Sequence, residues 1–118
     1  MNETKQKEVM TVEGLVARSK AAQEQFAFAT QEQADAAARA VCKVIYDNAE
    51  MLGPLAAEET RLGSEADKVT KCRMKSALIW HSLKGKKSVG IINRLEDRRM
   101  IEIAKPMGVV ASIVPSTN

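Results

Sequence analysis

The sequence predicts an α/β chain in which helices come first and extended strands last. Fifteen of the 17 alanines precede residue 84, and alanine is the strongest helix former. Five of the seven isoleucines follow residue 90, where β-branched side chains favour strands. Residues 108–114 then form a nearly continuous apolar run, the pattern of a strand buried on both faces.

The first helix is predicted to start near Thr11, with Val12, Leu15, Val16, Ala22, Phe26 and Ala29 close to one face at helical spacing. Thr30-Gln31-Glu32-Gln33 reads as a capping box, so a second helix begins there with Ala34, Ala37, Ala38, Val41, Cys42 and Ile45 as its stripe. Asp47 and Asn48 suggest a break. Met51, Leu52, Leu55 and Ala56 carry a third segment, in which Gly53-Pro54 fits poorly because proline lacks an N–H and clashes with the preceding turn. Pro54 is therefore expected in the first turn, or at a kink. Gly63 is placed to end this helix and Ser64-x-x-Asp67 to cap the next. Val69, Cys72, Ser76, Ile79, Trp80 and Leu83 form its face. Lys84-Gly85-Lys86-Lys87 is a basic turn, and two short strands over residues 88–94 and 100–105 make a hairpin with a charged connection. The predicted layout is helices over about 11–83, a hairpin over about 88–105 and a further strand over about 108–114.

A chain of 118 residues is one modest domain, and Leu, Ile, Val and Phe supply only 26 of them, so the expected core is thin. A strand buried on both faces needs more protein around it, so the chain is expected to be part of something larger. Its net charge of +3, from 18 basic and 15 acidic residues, is too balanced to argue for nucleic acid. The opening MNETKQKEVM has no apolar region of a secretory signal, and no run is long enough to span a membrane. Two cysteines thirty residues apart, without a C-x-x-C, suit reduced thiols in the cytoplasm better than a disulfide framework.

Most candidate chemistry has a plainer reading. Cys42 and Cys72 occupy apolar helical faces and are expected to be buried, inert thiols. His81 sits near a helix end, where a cation is favoured, and the chain's one histidine builds no metal site with the cysteines at a standard ligand spacing. Lys84, Lys86, Lys87, Arg94, Arg98 and Arg99 read as solvated turns, since 3% aromatic content supplies no stacking platform. Glu58 and Glu59 point about 100° apart on a helix and make no carboxylate dyad. The tail from Lys105 to Asn118 stays open between two readings. It is an ordinary buried strand and turn, or the strand end beside which an open α/β sheet binds its ligand.

That tail, Pro106-Met107-Gly108-Val109-Val110-Ala111-Ser112-Ile113-Val114-Pro115, resembles the P-x-G-V-V-x-x-I-x-P opening of the cofactor-binding domain in the aldehyde dehydrogenase superfamily. Ser116 and Thr117 between Pro115 and Asn118 resemble the CoA-acylating branch, whose non-acylating cousins usually have one residue there. Lys43-Val44-Ile45-Tyr46-Asp47-Asn48-Ala49-Glu50-Met51, Glu58-Glu59-Thr60, Asp67-Lys68-Val69 and Lys87-Ser88-Val89-Gly90-Ile91-Ile92 are similar to the same branch. The likeness runs from about residue 12 to 118 and points to acylating succinate-semialdehyde dehydrogenases and the aldehyde-oxidising half of bifunctional aldehyde-alcohol dehydrogenases. Gly53-Pro54 departs from the unbroken helix usual there.

The resemblance implies that the last predicted strand is the first strand of a Rossmann-like domain. It implies a reaction in which an aldehyde, CoA and NAD or NADP exchange with acyl-CoA and the reduced cofactor. It implies that Ile113, Val114, Pro115, Ser116, Thr117 and Asn118 line the cofactor site, with the Asn118 amide donating to the oxyanion formed on thiolate attack. The family's catalytic cysteine lies beyond the part that this chain resembles, so Cys42 and Cys72 inherit no role and the chain alone is expected to be inactive. The expected setting is a cytoplasmic homo-oligomer handling an aldehyde and acyl-CoA, without metal, membrane or nucleic acid. The alternative is a non-catalytic helical and hairpin module for interaction or assembly.

Overall fold

The computed structural model describes residues 11–115. It holds four α-helices, α1 (Val12–Phe26), α2 (Gln31–Asp47), α3 (Ala49–Thr60) and α4 (Glu65–Leu83), followed by two strands, β1 (Gly90–Leu95) and β2 (Met100–Ala104). The described residues divide into two units, residues 11–30 with 89–112 and residues 31–88 with 113–115.

In the first unit Thr11 caps α1 with extended backbone, and its hydroxyl oxygen accepts from the Gly14 amide at 3.1 Å. Val12, Leu15, Val16, Ala22 and Phe26 of the predicted face lie on α1, Ala29 falls beyond its end, and no residue of the helix is buried. Val109 and Val110 share a cleft with Ala22 and Phe26 of α1. The hairpin pairs antiparallel, with Ile91 opposite Ile103 and Arg94 opposite Ile101. Between Ile91 and Asn93 the register shifts, so Ile92 is the extra residue of a bulge. A short 3₁₀ turn, Glu96–Arg98, and left-handed Arg99 (φ 53°) make the connection.

Among the described residues the strand expected over 108–114 is not formed: residues 105–115 join no ladder, and β1 pairs only with β2. A strand exists by its hydrogen-bonded neighbours, and this run pairs with neither β1 nor β2.

The second unit is a three-helix cluster in which α4 packs on both α2 and α3. Asn48 breaks the chain between α2 and α3, its side-chain amide donating to the Val44 carbonyl at 2.8 Å. Pro54 lies neither in the first turn nor at an end; it is the sixth of the 12 residues of α3. Its neighbour explains the tolerance. A Cβ on Gly53 would overlap Val69 Cγ2 and lie 2.8 Å from the Val69 amide nitrogen, so the absent side chain lets α3 and α4 approach closely. The packing gained at that crossing offsets the hydrogen bond that Pro54 cannot donate.

α3 ends earlier than Gly63 suggests. Arg61 takes the left-handed C-cap position (φ 54°), its amide bonding the Ala57 carbonyl, and Gly63 (φ 73°) turns the chain into the next helix. Ser64 caps α4 as expected: its hydroxyl oxygen accepts from the Asp67 amide at 3.1 Å and its O–H donates to the Asp67 carboxylate at 2.7 Å. A link across this unit comes from Gln31, whose amide donates to Asp35, the Lys86 carbonyl and the Ser88 hydroxyl and accepts from the Ser88 amide. It ties the start of α2 to the basic turn after α4.

Candidate functional site

The site implied by the sequence is the tail. Ile113 is 99% exposed, and Val114 and Pro115 are exposed as well. Ser116, Thr117 and Asn118 lie outside the described residues. The described half of this wall is apolar, with no charged side chain and no enclosing neighbour.

Cys42 on α2 and Cys72 on α4 are free thiols, but half-buried rather than sequestered. They share one cleft between those helices, because α2 and α4 cross where small side chains leave room and the expected burial is incomplete. His81 stands in the last turn of α4 and is exposed. Glu58 and Glu59 are both exposed. Lys84, Lys86 and Lys87 stay in the solvated turn, and Arg94, Arg98 and Arg99 are exposed on the hairpin. Among the described residues no three of His, Cys, Asp and Glu gather as metal ligands, and no helix is long and apolar enough to cross a membrane.

The concave surfaces of the second unit flank α2. One cleft, about 350 Å³, is floored by Val41, Ile45, Ala56 and Ile79 with Lys68, Lys71 and Lys75 around it. The other, about 360 Å³, is lined by Arg39, Cys42, Lys43, Tyr46, Asp47, Ser76, Ala77 and Trp80. Reading the sequence as stripes overlooks this second cleft. Its signal is the spacing Arg39, Lys43, Asp47, one helical turn apart on α2.

No protein-family model matches the sequence. The chain is 45% identical over 109 residues to the succinate-semialdehyde dehydrogenase (acetylating) of Clostridium kluyveri, which covers 92% of this chain and 24% of that protein. This chain is homologous to the acylating aldehyde dehydrogenases. It is also 36% identical over 110 residues to the bifunctional aldehyde-alcohol dehydrogenase of Escherichia coli K12, covering 93% of this chain and 12% of that one. Its fold matches a probable aldehyde dehydrogenase from Listeria monocytogenes EGD-e with a TM-score of 0.74 at 25% identity, over 86% of this chain and 22% of that one. The chain thus spans about a quarter or less of the length of these dehydrogenases. Both the likeness to the acylating branch and the α/β class agree with the sequence reading.

Proposed function

We propose that these residues serve within a CoA-acylating aldehyde dehydrogenase, which converts an aldehyde, CoA and NAD(P)⁺ to acyl-CoA, NAD(P)H and a proton. The observation that carries this reading is the 45% identity to the acetylating enzyme of Clostridium kluyveri along nearly the whole chain. In this reading Ile113, Val114, Pro115, Ser116 and Thr117 form one wall of the cofactor site, and Asn118 donates its amide to the oxyanion. The apolar, uncharged stretch of residues 113–115 suits the face of a nicotinamide ring. When bound, that cofactor accepts the hydride and CoA accepts the acyl group; this wall only positions and excludes water. In this reading the attacking thiolate is neither Cys42 nor Cys72, because neither matches the position of the family's catalytic cysteine. The two unpaired cysteines support a reducing, cytoplasmic setting. The exposed isoleucines on both strands of the hairpin support association with further copies of the enzyme.

A chimera tests the assignment. This chain replaces the matching residues of the Clostridium kluyveri enzyme, and CoA-dependent reduction of NAD(P)⁺ is measured. Activity within about tenfold of the parent, or some 1.4 kcal/mol of barrier, is the expected result. A folded chimera that binds cofactor but forms no acyl-CoA would overturn the proposal.

A further inference from the structure

The cleft of about 360 Å³ between α2 and α4 belongs to no part of the reaction above. The chain has one tryptophan and one tyrosine, and both line this cleft, Trp80 from α4 and Tyr46 from α2. Trp80 is half-buried and Tyr46 is 46% exposed, so aromatic surface is open to a ligand. The charges come from α2 alone. Lys43 and Asp47 hold each other as an ion pair, whereas Arg39 makes no ion pair among the described residues. On the opposite wall the buried Ser76 hydroxyl donates to the carbonyls of Cys72 and Arg73, so it offers the cleft no free donor. Ala77 beside it leaves room that a longer side chain would fill.

We propose that this cleft binds a planar aromatic ring carrying an anionic group, with the ring against Trp80 and Tyr46 and the anion at Arg39. The ring gains stacking area on rigid aromatic side chains. The anion meets a planar guanidinium that can donate two parallel hydrogen bonds. The aliphatic cleft across α2 has lysines but no aromatic face, and so lacks the first half of this chemistry.

Because Trp80 is the only tryptophan, its emission reports directly on occupancy. The probe is AMP, with adenosine and inorganic phosphate as separate arms, added to the 118-residue chain. AMP is expected to quench Trp80 saturably. Adenosine should bind at least about fivefold more weakly, the loss of one charge-assisted contact, and phosphate alone should not quench. Arg39→Gln should weaken AMP by a similar factor, and Ala77→Met should abolish its binding by filling the space. Both positions are exposed, so far-UV circular dichroism should stay unchanged, and Lys105→Gln, which alters charge elsewhere, should bind AMP normally. Flat emission up to roughly 10 mM AMP, corresponding to less than about 3 kcal/mol of binding, overturns the proposal. So does AMP binding that survives both Arg39→Gln and Ala77→Met, or adenosine binding as tightly as AMP.

Discussion

Gly53 and Pro54 are chain neighbours whose replacement by alanine should move stability in opposite directions. Alanine is the better helix former at both positions, so propensity alone makes both changes favourable. At position 53 the added methyl meets the Val69 backbone and side chain, and overpacking of this kind costs about 1–3 kcal/mol. At position 54 the change restores an N–H for the Glu50 carbonyl and relieves the ring, a gain of up to about 3 kcal/mol. Thermal midpoints of the two variants check this, and a stabilised Gly53→Ala would show that α3 and α4 are not in close contact. Asn118 is the other residue on which much depends. If its amide donates to the oxyanion as proposed, Asn118→Ala in the chimera should lower kcat about 10²–10³-fold, with little change in aldehyde binding, because such a donor acts on charge that appears in the transition state. Ser116→Ala and Thr117→Ala should raise the KM for the cofactor and spare kcat. If Asn118 only holds the turn, the midpoint falls and turnover per folded site does not.

Among the elements, α4 has the cap most plainly written in the sequence. Ser64 accepts from the Asp67 amide, and Ser64→Ala should cost about 1 kcal/mol, whereas Ser64→Asp should keep most of the cap. Equal stability of the serine and alanine forms in denaturant titration would remove that role. Caps of this kind, like the hairpin and the order of helices before strands, were legible because their determinants lie within a few residues of one another. The first-turn placement of Pro54 fails for the opposite reason: the close approach that accompanies it is that of Val69, from another helix. Arg61 takes the left-handed C-cap where Gly63 is the obvious candidate, and its residue type carries no local signal for that role. The bond from Gln31 to Ser88 joins residues 57 apart, and no local pattern announces it. At the tail, the P-x-G-V-V-x-x-I-x-P motif was readable, but the ladder it implies needs neighbouring strands that the described residues do not supply.

Taken as a whole, the molecule has very little interior for its length. Ala49 is the one buried apolar side chain among the described residues, while Met100, Ile101, Ile103, Val110 and Val114 all stand at least half exposed. These residues lie on a hairpin with open edges and on the run that follows it, and an apolar edge without neighbours is a template for pairing between chains. The isolated 118-residue chain should therefore self-associate in the micromolar range and above, and, if neither of its thiols is the attacking group as proposed above, should form no NAD(P)H from aldehyde and CoA. The two expectations are separable. Ile103→Lys with Val110→Lys should reduce association without creating activity, because charge on the apolar surface opposes pairing and supplies no nucleophile. Sedimentation across a concentration series reads the first, and coupled absorbance at the reduced cofactor reads the second. A monomer with a sharp, concentration-independent thermal transition would show that the exposed apolar residues find partners within the chain itself, and measurable CoA-dependent turnover by that monomer would return Cys42 and Cys72 to consideration.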